Sequence, residues 1–318
     1  MKILYAATTP LAGVCELMAR CVNEYYGKEH EARVLSRGPG KHLWYIRPGT
    51  KVIRHHVRHR DQIDPALQWA DVIHCMANVS ARSLKRLDLL KKKTWVFQWH
   101  GAQIWPFTNV WFEEDYPHVK WIHIGQGWNR DPWFDRFNKF GLKLIPNVIS
   151  ADDEIHTPLP WKRRLKQSVA FSPSNAKAIA VNKKGIPEVT RACKGHFTFD
   201  LISGTSFEEC MKRKRKAWLG IDEIVTPLYH RSGLEFLSQG VPCICSHDEF
   251  TASCLKEVTG AECVPFINAN KDTLRKVISD HMAKPVEELQ QMGRDARAWI
   301  EEYYHPRALL QRYFEVYQ

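Results

Sequence analysis

The stretch HRSGLEFLSQGVPCICS, residues 230–246, places a carboxylate, Glu235, one turn into a short amphipathic pattern beside Gly233 and ahead of an apolar run. Such a carboxylate can complement the positive end of a helix. It can also accept hydrogen bonds from two neighbouring hydroxyls of a ligand at once. Three further stretches hold residues of the same kind: TTPLAG (8–13), WHGAQ (99–103) and SPSNAKAIAVNKKG (172–185). They supply Gly13, His100, Ser174, Asn175 and the lysines 177, 183 and 184. A glycine lets a ligand approach the backbone, and lysines supply charge for an anion. Taken one at a time, each has a plainer reading: a turn for Gly13, a satisfied strand-end ring for His100, a solvated loop for the lysines.

The elements that must position these residues alternate along the chain. Apolar runs at 2–8, 32–36, 71–76, 94–100, 119–125 and 142–147 predict strands, with helical spacing between them, as in the pattern ending near Tyr26 and in 80–93. The segment 150–167 carries proline and charge without periodicity and reads as a connector. The pattern then restarts with strands expected at 168–174, 197–204, 221–228, 241–247 and 261–266. Helical patterns at 206–218, 233–239, 271–282, 285–303 and 306–317 complete it. Strands alternating with helices predict an α/β chain of two doubly wound, Rossmann-like domains with a cleft between them. All four stretches above follow strands, where such sheets bind ligands and where helix N-termini attract phosphate.

Composition narrows the function classes. With 318 residues, 44% hydrophobic and 25% charged, the chain suits two soluble globular domains. No apolar run reaches the ~18–20 residues of a membrane span, and the first residues lack the zones of a signal peptide, so a cytoplasmic location is expected. Nine cysteines, none in a CxxC pair, predict neither a disulfide framework nor a zinc site. The run RHHVRHR (54–60) interleaves histidines with arginines that repel a cation, so no metal site is expected there. The excess of 46 basic over 35 acidic residues, net +11, favours a polyanionic partner.

Five motifs in order over nearly the whole chain resemble those of the GT-B nucleotide-sugar glycosyltransferases, family 4 in particular. They are ADVIHCM with VFQWHGAQI, then LKLIPNVISADDEIHTP, SPSN with KKG, LEFLSQGVPCICS, and YYHPRALLQRYFEVY. The resemblance implies a GT-B fold. Residues 1–150 would be the acceptor domain, 151–303 the donor domain, and 304–318 a helix packing back on the first. It implies a metal-independent, retaining transferase with no tightly bound cofactor and a nucleotide-diphosphate sugar, UDP-sugar favoured, as co-substrate. Glu235 matches the second glutamate of a Glu-x7-Glu signature and would accept from the ribose hydroxyls. Ser232, Gly233 and Leu234 would bring the helix start to the diphosphate. Ser174, Asn175 and Lys184 match the phosphate loop, with Lys184 neutralising the leaving diphosphate. Asn175 stands where many relatives carry arginine, leaving Lys177 or Lys183 to add charge. His100 matches the histidine directed at the donor sugar. The first glutamate of the signature is absent: Pro227 occupies its position, so His230 or Arg231 would take over part of its task.

The acceptor is read from charge. The expected acceptor domain carries two basic stretches, 41–60 and 81–93, the first with interleaved aromatics. They are a solvated face, or they bind a polyanion. Arg54, Arg58 and Arg60 with the lysines 91–93 would track the phosphates of double-stranded DNA. The aromatics 44, 45, 99 and Trp105 would help extract a hydroxymethylated base. The same face could instead dock on an anionic membrane surface beside a lipid-linked glycan. Without a pronounced amphipathic helix, DNA is the favoured acceptor and envelope-glycan synthesis the alternative. A non-catalytic nucleic-acid-binding protein on the same frame, or a nucleotide-sugar epimerase, are further readings.

Overall fold

The structure is a computed structural model that describes residues 1–7, 13–36, 52–56, 60–76, 92–100, 119–125, 141–173 and 185–318. The chain divides into two compact units, 1–148 with 306–318, and 149–305.

In the first unit, strands β1 (Lys2–Ala7), β2 (Glu31–Ser36), β3 (Arg54–His56), β4 (Val72–Met76), β5 (Thr94–Trp99), β6 (Lys120–His123) and β7 (Lys143–Leu144) form one sheet in the order 3-2-1-4-5-6-7. Every neighbouring pair is parallel. All five residues of β4 are buried, and so are five of the six in β5, as expected of strands covered on both faces. Helices α1 (Val14–Tyr26) and α2 (Arg60–Trp69) belong to this unit. Strand order reverses between β1 and β4, a switch point that opens a crevice at the carboxyl ends. Strand β3 falls within the stretch read above only as a basic face. Its Arg-His-His sequence has no apolar alternation, but an edge strand needs just one neighbour, and Arg54 to His56 pair with Val34 to Ser36.

The second unit has a five-stranded parallel sheet of β8 (Ser168–Phe171), β9 (Thr198–Leu201), β10 (Leu219–Ile221), β11 (Cys243–Cys245) and β12 (Ile267–Asn268), in the order 12-11-10-8-9. Its switch point lies between β8 and β10. The strand expected at 261–266 is displaced: pairing begins only at Ile267. Pro265 explains the shift, since a proline has no N–H for the ladder. Helices α3 (Ile186–Cys193), α4 (Phe207–Lys214), α5 (Arg231–Ser238), α6 (Glu249–Thr259), α7 (Leu274–Met282) and α8 (Val286–Tyr303) surround this sheet. The last helix, α9 (Pro306–Tyr317), belongs to the first unit, where Tyr26 Oη donates to the Arg307 carbonyl at 2.6 Å. Among the described residues no helix is long and apolar enough to cross a membrane.

The connector is anchored rather than loose. It forms single turns of 3-10 helix at Glu154–His156 and Trp161–Arg163. Arg297 of α8 donates to the carbonyls of Ala151 and His156, both at 2.8 Å, and to that of Ser238. Gln239 donates to Ile155 O at 2.6 Å and Met211 O at 2.9 Å. One side chain therefore joins the end of α5 to the connector and to α4.

Helix α5 seats on β10 through two glycines. A Cβ built on Gly220 would stand 2.5 Å from the Phe236 ring, and one on Gly233 would stand 2.9 Å from Asp222 Oδ2. Phe236 is fully buried, so its ring has no free space to yield. Gly220→Ala should therefore lower stability by about 1–3 kcal/mol, the usual scale for overpacking. Gly220→Ala with Phe236→Leu should recover part of that loss in thermal unfolding. A wild-type melting temperature in Gly220→Ala would show that helix and strand do not meet this closely.

Candidate functional site

The second unit collects its polar residues at the carboxyl ends of β8 and β10. Two acids, Asp222 and Glu223, follow β10 directly, and both are buried. Glu223 Oε1 accepts from the backbone N–H groups of Ile224 at 3.0 Å, Val225 at 2.9 Å and Thr226 at 3.3 Å. Asp222 Oδ2 accepts from the His230 N–H at 2.5 Å and lies 3.6 Å from His230 Nδ1. These carboxylates fix both ends of the loop that leads into α5. The sequence placed them inside a strand expected at 221–228, but β10 ends at Ile221 and the residues after it form the loop. Their signal was two adjacent acids breaking the apolar run.

Helix α5 then starts with its N-terminus uncapped by any side chain and with no acid in its first turn. The N–H groups of Gly233 and Leu234 bond back to the His230 carbonyl, at 3.1 and 3.3 Å. The two N–H groups before them lie at the positive end of the helix, where an anion is favoured.

Glu235 sits behind this opening. Its residue is only 6% exposed, and its carboxylate is held from two sides. Lys214, the last residue of α4, donates to Oε2 at 2.7 Å, and Arg231 Nε donates to Oε1 at 3.1 Å. Lys214 is itself buried, and its ammonium also donates to Ser232 Oγ at 2.9 Å and Ser232 O at 3.2 Å. All three of its protons are thus used. Ser232 Oγ continues the chain by donating to Ser172 O, at 3.2 Å, just past β8. Burial by itself would push the Glu235 carboxyl up, but Lys214 and Arg231 outweigh it and hold the pKa below its usual value. Burial likewise works against the Lys214 ammonium, and Glu235 holds its pKa above the usual range. Both groups are charged. Lys214 was not foreseen, because it lies in the basic run 212–216 with nothing to single it out.

The pairing leaves Glu235 with function to spare. A carboxylate has about four lone-pair positions, and its two protein donors occupy one on each oxygen. Arg231 shows the complementary imbalance: its Nη1 is buried with no hydrogen-bond partner in the structure. The site therefore holds an unused cationic donor beside an anion-attracting helix end, with an oriented carboxylate beneath.

Gly185 caps the start of α3 at φ 69°, and a Cβ there would approach Ile224 to 2.8 Å and Val225 to 3.0 Å. The residue following Lys184 thus touches the loop that Glu223 holds. Lys184, Ser174, Asn175, Arg58 and Trp105 lie outside the described residues, as do Lys177, Lys183, Trp44 and Tyr45. Pro227, in place of the signature's first glutamate, uses its carbonyl to accept from Thr251 Oγ1.

In the first unit, Gly13 caps the start of α1 in the left-handed conformation, φ 66°. His100 follows β5, and its Nδ1 lies 3.2 Å from Asn147 Nδ2. Arg54 lies in the edge strand β3, and Arg60 opens α2. Two of the residues assigned to acceptor binding have structural work instead. Trp99 is buried and stacks on Trp121, with centroids 5.0 Å apart and planes at 9°, so it cannot receive an extracted base. Lys93 donates to Gln68 O at 2.8 Å and to Ala70 O, closing the end of α2 rather than facing a phosphate.

Compared by sequence, no family model and no curated protein matches the chain. Compared by structure, it matches glycosyltransferases along its full length. An alpha-glucosyltransferase in complex with UDP and a 13-mer DNA containing a HMU base matches with a TM-score of 0.70 at 10% identity, covering 100% of this chain and 99% of that one. A glycosyltransferase from Rickettsia africae ESF-5 gives 0.70 at 11% identity, covering 99% and 97%. HepE of Anabaena, in complex with UDP and glucose, gives 0.64 at 14% identity, covering 99% and 98%. At these identities the likeness speaks for architecture, and with the two parallel α/β sheets it gives the chain the GT-B fold.

Proposed function

We propose that the protein is a retaining, metal-independent glycosyltransferase that moves a sugar from a UDP-sugar to a hydroxyl on DNA bearing hydroxymethylated bases. The observation that carries the donor half is the buried, unpartnered Arg231 Nη1 at the uncapped start of α5, beside the paired Glu235. A nucleoside diphosphate matches both features. Its phosphates suit the guanidinium and the N–H groups of the first turn, and its ribose hydroxyls suit the free lone pairs of Glu235. The UDP in complexes of the same fold supports the choice of nucleotide.

In the reaction, the bond between sugar C1 and the diphosphate oxygen breaks, and C1 joins the acceptor oxygen on the same face. The acceptor proton passes to the leaving phosphate oxygen. Arg231, Lys184 and the α5 N-terminus stabilise the charge that develops on the diphosphate, which is the largest electrostatic demand of the step. His100 meets the sugar. Ser174, Asn175, Ser232, Gly233 and Leu234 line the phosphates, and Gly13 admits the substrate close to the backbone. Fixed cations serve here where other enzymes use a divalent ion. The acceptor half rests on the net charge of +11, on the arginines 54, 58 and 60, and on the DNA bound by a protein of this fold.

In calorimetric titration, Arg231→Met should weaken UDP binding by roughly 1–3 kcal/mol, the scale of a hydrogen bond to a charged group; unchanged affinity would take Arg231 out of the site. Glu235→Ala should weaken donor binding by roughly 1–3 kcal/mol and also destabilise the fold by about 3–5 kcal/mol, because it strands the buried Lys214 charge. Glu235→Ala with Lys214→Met should restore the melting temperature but not UDP binding, separating the two roles. Glu235 has a depressed pKa in the folded chain, so its stabilisation is present above the unfolded carboxylate pKa of about 4.3. It is lost as pH falls below that, and the double variant should lack this acid-dependent loss. For the acceptor, log affinity for duplex DNA should fall with log salt by about 0.9 per phosphate contact. Replacing arginines 54, 58 and 60 by serine should flatten that slope and leave UDP affinity intact. Transfer only to lipid-linked or free glycans, with no salt-dependent duplex binding, would overturn the DNA assignment.

A further inference from the structure

Behind His100, the first unit buries Tyr5, His74, Gln98, Tyr313 and Tyr317, from β1, β4, β5 and α9, beside the half-buried Asn147 that follows β7. Buried polar groups need partners, and here the carbonyls beside Tyr313 set the direction of the bonds that lead to His100. Tyr313 Oη lies 3.2 Å from Pro146 O and 3.4 Å from Ile145 O. Carbonyl oxygens only accept, so the Tyr313 hydroxyl donates to them, and its oxygen accepts from Gln98 Nε2 at 3.2 Å. The second proton on Gln98 Nε2 goes to Asn147 Oδ1 at 2.8 Å. That turns the amide N–H2 of Asn147 towards His100 Nδ1, 3.2 Å away.

The other end agrees. Tyr5 Oη lies 3.2 Å from Tyr317 Oη, which lies 2.6 Å from His74 Nδ1. With Tyr317 donating to Nδ1, the His74 proton resides on Nε2. His74 Nε2 and Gln98 Oε1 are buried and have no partner of ordinary hydrogen-bond geometry. They are complementary, and Gln98 acts on His74 as an acceptor. Burial first, and then the proximity of His100, bring the His74 pKa down to about 3 against that pull, so the ring is neutral. Reversing the whole chain would turn the Tyr313 hydroxyl onto Gln98 and take this donor from the Ile145 and Pro146 carbonyls.

We propose that Asn147, oriented by Gln98 and Tyr313, fixes His100 as the neutral tautomer with its proton on Nε2. Asn147, Gln98 and Tyr313 are positioning residues. They make His100 a hydrogen-bond donor at Nε2 and deny it the role of general base through Nδ1. The consequence for catalysis rests on the reading that His100 meets the donor sugar: it then donates to a sugar oxygen. The tautomer itself is a property of the first unit. The helix α9 acts on the ring through Tyr313.

Histidine labelled with nitrogen-15 in the full chain, without donor, tests this. Long-range proton–nitrogen correlations separate a protonated ring nitrogen from a bare one, and His100→Gln identifies which of the 15 histidines is His100. The expected result at neutral pH is a bare Nδ1 and a protonated Nε2. A proton on Nδ1, or an imidazolium, in the wild-type protein overturns the proposal. Asn147→Asp replaces the donor by an acceptor and should move the proton to Nδ1. Gln98→Glu should do the same at one remove, by turning Asn147 around. A folded Asn147→Asp or Gln98→Glu variant that keeps the wild-type tautomer also overturns it. In calorimetry, Asn147→Asp should bind UDP as the wild type does, and lose about tenfold in affinity for UDP-glucose. A wild-type chain that binds neither ligand would refute the proposed donor while leaving the tautomer result standing.

Discussion

The buried pair of Lys214 and Glu235 is the constraint around which the second unit is arranged. Removing two charges from water costs several kcal/mol per ion unless geometry and further hydrogen bonds compensate. Every donor on Lys214 has an acceptor here, and Ser232 extends the chain to the end of β8. Helices α4 and α5 are therefore locked at their ends, one by its last residue and the other by its first turn. Phe236 resting on Gly220 sets how close α5 comes to β10, while Asp222 and Glu223 fix the loop that enters it. The opening at the start of α5 is a rigid feature with little left to reorganise when an anion arrives. Preorganised dipoles of that kind are the ones that stabilise developing charge most effectively.

The two units solve the same problem with different chemistry. In the second, the polar side chains around Glu235 are charged. In the first, the groups behind His100 are neutral amides, phenols and imidazoles, and Gln98 donates both towards Tyr313 and, through Asn147, towards His100. A neutral network avoids the cost of burying ions, and it can define a tautomer, which a lone salt bridge does not.

Much of this was readable from residue types and spacing. Apolar runs of five to seven residues separated by helical spacing identified most of the strands and helices, because a strand covered on both faces admits almost nothing polar. Glu235, His100 and Gly13 were singled out because they follow such strands. What escaped notice depended on distance along the chain. Lys214 is one of five consecutive basic residues, and only the fold decides which of them turns inward. Trp99 looked available for stacking on a base, since nothing in its neighbourhood announces Trp121, which lies 22 positions away and covers it. Arg54 to His56 carry no alternation, yet they complete a sheet edge because β2 offers them its backbone. Asn147 was seen as part of a motif, but its partners come from β5 and α9.

The placement of α9 has a consequence for how the chain is made. The hydroxyl of Tyr5 meets that of Tyr317 across 312 residues of sequence, and the whole of the second unit is synthesised between them. During translation β1, β4 and β5 emerge early, and for the rest of elongation they lack the helix that covers Tyr5, His74 and Gln98. The second unit, continuous from 149 to 305, can complete itself on the ribosome first. The first unit must wait for residues 306–317, closing its longest loop last and carrying exposed apolar surface until then.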